Sequence, residues 1–446
     1  MSARARELGF LLPAAAVGLL GIGTVASARA EAFDPGPWPQ ALGVIGVFLV
    51  MHLALRLRAP LADPYLLPIV GVLVAIGLVL LERLDPDLAA RQAVWVSVGG
   101  LVFVAVLFLL PDHRVLERYR YIIGTVAVAL LVVTMVAGTE INGARLWIEV
   151  GGITLQLGEV SKVLLVVFLA GYLRDKREIL AIPTRRVLGV PSPPAAALAP
   201  VLLLLAACLG IVVVLNDFGT ALLFLGIFLA MIYLATGRVA YTVFGLLVFA
   251  AGSVLVYVIT PRVADRVDSW IDPFDDEQGL GFQLVQSLYA LAEGGVLGPG
   301  LGNGFLLRGD GSYTVPVLDT DFIFTALATE LGFVGGVALL LGFLVLLQRG
   351  FAVAAAATDG FSKLLAAGLT AAIGLQALLI VGGIVRLVPL TGVTLPFVSY
   401  GGSSVLTNFA IIALLLVVSH RSQAPARMPR RRRRERAVGE AGEAPA

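Results

Sequence analysis

The residues suited to chemistry gather in one polar stretch of an otherwise apolar chain. From Pro261 to Gly336 the sequence turns polar, glycine-rich and charged, then enters an apolar segment at Asp321. A long polar stretch between apolar runs is either a connector or the place where chemistry is done. Trp270, Phe274, Phe282 and Tyr289 give this one the aromatic content of folded structure. Carboxylates beside arginines suit proton transfer and the binding of anions. Here Arg262 and Arg266 stand beside the cluster DSWIDPFDDE, and Asp321 closes the stretch in DTDFIF. Thr320 or Asp321 also suits the N-cap of the helix that follows. Glu330, nine residues on, projects from roughly the opposite helix face, where a helix-packing hydrogen bond is expected.

Other candidates lie outside that stretch. Glu159 and Lys162 are three apart and are neighbours on a helix. At the end of a membrane span they form either a structural ion pair or a pair that positions a polar cavity. Asp217, in LNDFGTA, either caps the helix beginning near Phe218 or faces a site. Asn142, Gly143, Arg145 and Trp147 read as a turn with an interfacial aromatic anchor, and Arg145 suits a phosphate. Three histidines without metal-ligand spacing argue against a zinc site, and the single Cys208 excludes an intramolecular disulfide.

The elements that must position these residues are membrane helices. Only 14% of the 446 residues are charged and 59% are hydrophobic, against about 25% charged in a soluble protein. Apolar runs of some 20 residues match the hydrocarbon core, and in lipid the backbone must satisfy itself. The expected fold is an all-α polytopic membrane protein of about 12 transmembrane helices with a large extracellular loop at 261–319. The spans fall near 9–28, 40–56, 65–83, 92–110, 120–138, 159–173, 195–215, 218–236, 238–259, 320–348, 362–386 and 400–420. Most of the 32 Lys and Arg fall inside when both termini are cytoplasmic, which places 261–319 outside. MSARAR followed by an apolar run and ASARA is signal-like, but an uncleaved first helix is the favoured reading. Residues 174–193 form the main inner linker. GFQLVQSLYALAEGG reads as an amphipathic helix at the interface, with Gln283 and Gln286 on one side. GPGLGNGF is a glycine loop able to approach a ligand closely. The basic tail suits anionic lipid; nucleic acid is not an expected partner.

These blocks carry a resemblance. NGARLWI, QLGEVSK, NDFGTA, GFQLVQSLYALAEGGVLGPGLGNG, DTDFIF with ELGF, and PLTGVTLPFVSYGGSS resemble the SEDS proteins (shape, elongation, division and sporulation: RodA, FtsW and SpoVE) over roughly residues 65–420. The chain departs from the family pattern in places. Gln-Pro-Ser-Glu is here Gln156-Leu157-Gly158-Glu159, the Glu and His before Asp321 are replaced by Val317 and Asp319, and Ile380 stands where many members carry Asn. Two extra helices precede the family core, a layout similar to RodA-type members of actinobacteria. The implied organisation is 1–62 as extra helices, 63–420 as a ten-helix glycosyltransferase core, and 421–446 as a basic cytoplasmic tail.

The resemblance implies a peptidoglycan glycosyltransferase in the cytoplasmic membrane. It polymerises lipid II at the outer face, for elongation or division, with a class B penicillin-binding protein as partner. Asp321 is then the catalytic base. Arg145, Arg262, Arg266, Arg308 and Arg386 are the outer cations available to the leaving diphosphate, with Lys162 adding to the field. Glu159, Asp217, Gln283, Gln286, Ser399 and Ser403 complete the substrate-binding candidates. No cofactor is required by the sequence; a divalent cation, magnesium or manganese, is an alternative source of countercharge. A lipid II flippase or a non-catalytic scaffold for the penicillin-binding protein are the rival readings. A scaffold would tolerate substitution of Asp321; against a flippase, no inverted repeat is evident and the charges gather near the outer face rather than at midplane.

Overall fold

The computed structural model describes residues 2–30, 36–110, 112–141, 144–181, 185–187, 190–192 and 195–423. Residues 31–35 just after the signal-like ASARA, the Asn142–Gly143 turn, parts of the inner linker and the basic tail beyond Gln423 lie outside the described residues. In chain order the first helices are α1 (Ala3–Ala30), α2 (Trp38–Arg58), α3 (Leu66–Leu84), α4 (Pro86–Leu109), a short α5 (Arg114–Arg118) and α6 (Arg120–Ala137). Strands β1 (Thr139–Ile141), β2 (Ala144–Val150) and β3 (Ile153–Leu155) form a small antiparallel sheet before α7 (Leu157–Ala181). A hairpin of β4 (Arg185–Val187) and β5 (Val190–Ser192) leads to α8 (Ala195–Val214). Then come α9 (Phe218–Thr236), α10 (Val239–Ile259), α11 (Pro261–Ile271), α12 (Phe282–Gly294), α13 (Ile323–Ala356), α14 (Gly360–Ile384) and α15 (Gly402–Gln423).

Among the described residues, ten helices are long and apolar enough to cross a membrane: α1 to α4, α6, α9, α10 and α13 to α15. The sequence pointed to about twelve spans, and the difference lies in α7 and α8. Glu159, Lys162 and the charged run from Arg174 interrupt α7, while α8 contributes a shorter apolar helix, Leu198–Val214. The first part of the inner linker is the last turns of α7, and Arg145 and Trp147, read from the sequence as part of a turn, lie on strand β2.

Successive helices alternate direction, so the connections gather at two ends. One end carries β1–β3, the Asn216–Asp217 turn, α11, α12 and the segments 295–322 and 385–401. The other is laced by ion pairs: Arg114–Asp359 (2.9 Å), Arg120–Asp175 (2.5 Å) and Arg349–Asp63. α14 and α15 are the most enclosed spans, and α10 is peripheral, with Leu246, Leu247, Val254 and Val258 turned outward. Lipid is as apolar as leucine, so such faces cost nothing there, and helix association rests on close packing and polar contacts.

α13 is broken at Gly332 (φ 65°, ψ −167°), a backbone state open only to glycine. The segment Gly295–Gly300 fills the gap. Phe333 N–H donates to Gly295 O (2.9 Å), Val334 N–H to Val296 O (3.1 Å), and Gly300 N–H to Glu330 O (2.9 Å). A Cβ on Gly298 would stand 2.1 Å from Glu330 O. The glycine loop therefore makes a close approach to the α13 backbone. Glu330 is fully buried, paired with Arg83 (2.8 Å) and accepting from Gly302 N–H (2.7 Å), as the packing role predicted for it requires. α12 is likewise a packing helix: Leu284, Val285 and Ala290 are buried, and Ser287 and Thr325 of α13 share a hydrogen bond (2.7 Å).

Candidate active site

Asp321 lies in the turn that leads into α13. Phe322 occupies the cap position, and no side chain caps the helix, so neither Thr320 nor Asp321 is the N-cap that the sequence suggested. Three backbone N–H groups, from Thr320, Asp321 and Phe322, converge instead on the Val317 carbonyl at 3.1–3.3 Å, with Val317 at φ 52°. The Asp321 carboxylate is thereby left to other uses. Its Oδ2 lies 3.6 Å from the position a Cβ on Gly392 would take, which sets it against the 389–401 loop.

That loop is braced from several elements. Ser399 Oγ donates to Thr320 O (2.5 Å) and accepts from Leu395 N–H (2.9 Å). Tyr400 N–H donates to Asp319 O (2.9 Å). Gln92 of α4 donates to Ser399 O (3.1 Å) and accepts from Gly401 N–H (3.2 Å). From the other side, Lys162 Nζ donates to Glu159 Oε2 (2.7 Å) and Gln376 Oε1 (2.6 Å), and Gln376 Nε2 donates to Thr394 O (2.9 Å). Thr407 Oγ1 also donates to Glu159 (3.2 Å). Lys162 is 1% exposed, so the ion pair is wholly internal, and one chain of bonds runs from α7 through α14 to the loop facing Asp321. Ser403 Oγ accepts from Gln156 N–H (2.8 Å), fixing the start of α7.

Burial pushes the Asp321 carboxyl up to about 6; the Arg266 guanidinium pulls the other way and Asp319 reinforces the rise. Burial likewise raises Asp319, with Asp85 adding to it, and raises Asp217. Asp217 caps α9 through Thr220 N–H (2.9 Å), as its position before Phe218 suggested. Arg266 also acts on Asp217 and sits 5.9 Å from the Phe218 ring centroid. Arg386, at φ 61°, donates to the carbonyls of Trp270 (3.1 Å) and Ile271 (2.6 Å), and Trp270 Nε1 donates back to Arg386 O (3.0 Å). This strap holds α11, and with it Arg266, over the bundle. Arg262 is exposed on the first turn of α11. Arg145 is exposed, 3.9 Å from Glu140, and Arg308 belongs to an exposed hairpin closed by its N–H on Ser312 O (2.8 Å). On α12, Gln283 is exposed and Gln286 half-buried.

An apolar groove of about 810 Å³ runs between α8, α9 and α10. Its mouth is formed by Arg266 and Trp270 of α11 and by Val388–Thr391, next to Gly392 and Asp321. Gln92, Gln376, Arg83 and Thr391 belong to this architecture and were not among the residues singled out from the sequence. For the two glutamines a signal existed: an amide inside an apolar run needs a partner. Among the described residues no three His, Cys, Asp or Glu side chains converge as a metal cage.

Residues 64–424 match the family of cell cycle proteins that comprises FtsW, RodA and SpoVE. The chain is 41% identical to the peptidoglycan glycosyltransferase RodA of Mycobacterium tuberculosis (strain ATCC 25618 / H37Rv) over 88% of this chain and 86% of that protein. It is 33% identical to stage V sporulation protein E of Bacillus subtilis (strain 168), over 75% of this chain and 87% of that one. Among solved structures it is similar to a chain of a peptidoglycan synthase complex described for its coordination of polymerization and crosslinking (TM-score 0.67, 28% identity, 82% of this chain and 99% of that chain). It is also similar to the rod shape determining protein RodA of Thermus thermophilus (TM-score 0.59, 28% identity, 82% and 98%).

Proposed function

Because the chain belongs to the cell cycle protein family of FtsW, RodA and SpoVE, we propose that it joins lipid II units with Asp321 as the general base. The chain is a multi-pass membrane protein and a peptidoglycan glycosyltransferase. The observation that carries the assignment of Asp321 is its placement. The carboxylate caps no helix, lies against Gly392, the residue that follows Thr391 of the groove lining, and feels one nearby cation, Arg266.

Lipid II is a disaccharide-peptide on a polyprenyl diphosphate. The 4-hydroxyl oxygen of one unit attacks the anomeric carbon of another. As that bond forms, the hydroxyl proton passes to Asp321, and the bond from the anomeric carbon to the diphosphate oxygen breaks, its electron pair leaving with the diphosphate. One displacement converts an α-linked diphosphate into a β-linkage. A positioned base contributes about 10²–10⁴ to such a step. Diphosphate needs countercharge rather than a proton on leaving, and Arg266 is the nearest candidate to supply it. The Glu159–Lys162–Gln376 chain, Ser399 and Gln92 act by holding the loop that faces the base, and Arg386 by holding α11. The polyprenyl tail lies in the groove between α8, α9 and α10, so substrate arrives sideways from the bilayer.

The same reading places both termini in the cytoplasm and the 261–319 segment outside, with residues 1–62 as an added helical pair, 63–420 as the catalytic core and 421–446 as a cytoplasmic tail. A class B penicillin-binding protein then crosslinks the strands. This partner is supported by the similarity to a chain of a complex that both polymerises and crosslinks. The test is polymerisation of labelled lipid II by the purified protein with its cognate penicillin-binding protein. Wild type yields a glycan ladder, and Asp321→Asn yields none while still binding lipid II. A ladder of normal yield from Asp321→Asn removes the base assignment. Labelled lipid crossing vesicles without polymerisation would favour a flippase.

A further inference from the structure

We propose that Thr391 is a substrate-binding residue whose hydroxyl donates a hydrogen bond to the diphosphate of a polyprenyl-linked substrate. The inference rests on the lipid-linked substrate proposed above and adds the residue that recognises its phosphates. Thr391 is 6% exposed, and its Oγ1 has no hydrogen-bond partner in the protein. Buried hydroxyls are almost always satisfied, so an orphan one on a residue that lines a cavity points to a ligand. Thr391 lines the groove at its mouth together with Arg266, while below them the lining is apolar, from Leu390 and Val388 down to Leu205 and Phe228.

Close packing holds Thr391 against the start of α9. A Cβ on Gly219 would stand 2.1 Å from Thr391 O and 3.0 Å from Thr391 Cβ, so only glycine lets the start of α9 abut the loop there. The neighbouring Asp217 is turned to Thr220 N–H as a cap. The next residue along the loop, Gly392, lies against Asp321 Oδ2. From the membrane outward the order is apolar groove, then hydroxyl and guanidinium, then carboxylate. A lipid tail, a diphosphate and a sugar follow one another in the same order. Donors to phosphate oxygens are charge-assisted and stronger than neutral hydrogen bonds.

The experiment titrates the full-length protein in detergent with undecaprenyl diphosphate, undecaprenol and phosphatidylglycerol, for wild type, Thr391→Val and Thr391→Ser. Loss of one hydrogen bond to a charged group corresponds to about ten- to a hundredfold weaker binding. Thr391→Val is expected to lose that much affinity for the diphosphate and none for undecaprenol, with Thr391→Ser restoring it. In polymerisation the valine variant raises KM for lipid II. Unchanged diphosphate affinity in Thr391→Val overturns the proposal. So does a wild-type protein that binds diphosphate no better than undecaprenol, a comparison that needs no variant to fold. Equal binding of phosphatidylglycerol would make the groove a general phospholipid site and also overturns it. Polymerisation by wild type is run in parallel: its absence counts against the glycosyltransferase step alone, because the binding series stands apart from it.

Discussion

Burial decides what Asp321 can do. With its carboxyl pushed up to about 6, against an ordinary value near 4, it is deprotonated at neutral pH yet holds a proton more firmly than an exposed aspartate. A base acts in its deprotonated form. Activity is therefore expected to be full above pH 7 and to fall about tenfold per unit below 6, and a pH–rate profile measures this. Arg266 favours the charged form, so Arg266→Gln moves the acidic limb to higher pH. A limb near 4 in wild type would remove the burial argument. The Glu159–Lys162 pair is a different case. Removing one partner strands a buried charge, and Lys162→Met is expected to cost about 3–5 kcal/mol in thermal or denaturant unfolding. Glu159→Gln combined with Lys162→Met is expected to cost less than the single Lys162→Met change, because no charge is then left unpaired.

At the scale of the element, the break in α13 is the feature on which the loop depends. Gly332→Ala would place a Cβ 2.5 Å from both Gly298 N and Val296 O, in a backbone region closed to other residues. The expected loss is about 1–3 kcal/mol. Polymerisation should fall as well, since α13 opens one residue after Phe322 and carries the turn that holds Asp321. Gly43→Ala on α2, where an added Cβ meets nothing within 4 Å, is the matched control and is expected to leave melting temperature and activity unchanged. Equal effects at the two sites would mean that the break has no special role.

For the whole molecule, the test concerns which end of the bundle faces out. Ser312 and Lys363 are exposed at opposite ends, and the native Cys208 is buried. In intact cells an impermeant maleimide is expected to label Ser312→Cys and to reach Lys363→Cys only after permeabilisation. The reverse pattern would overturn the topology and the placement of the site outside.

The sequence by itself determined the class of the fold, the order of the helices and the identity of the polar blocks. Lipid forces each span to satisfy its own backbone over a fixed length, so spans are written locally as apolar runs. The cap at Asp217 was legible for the same reason, since it depends on its own helix, and so was the helix face from which Glu330 projects. Tertiary structure alone decided which blocks meet. Asp321 with Gly392, Lys162 with Gln376, and Arg83 with Glu330 are pairs set by which helices adjoin, and no local spacing records that. The glycine loop illustrates the limit. Its residues announce a close approach, but whether to a ligand or to the chain itself depends on the break at Gly332, far along the sequence. Thr391 is the other case: a threonine in a loop is ordinary until the fold buries its hydroxyl without a partner at the mouth of a groove.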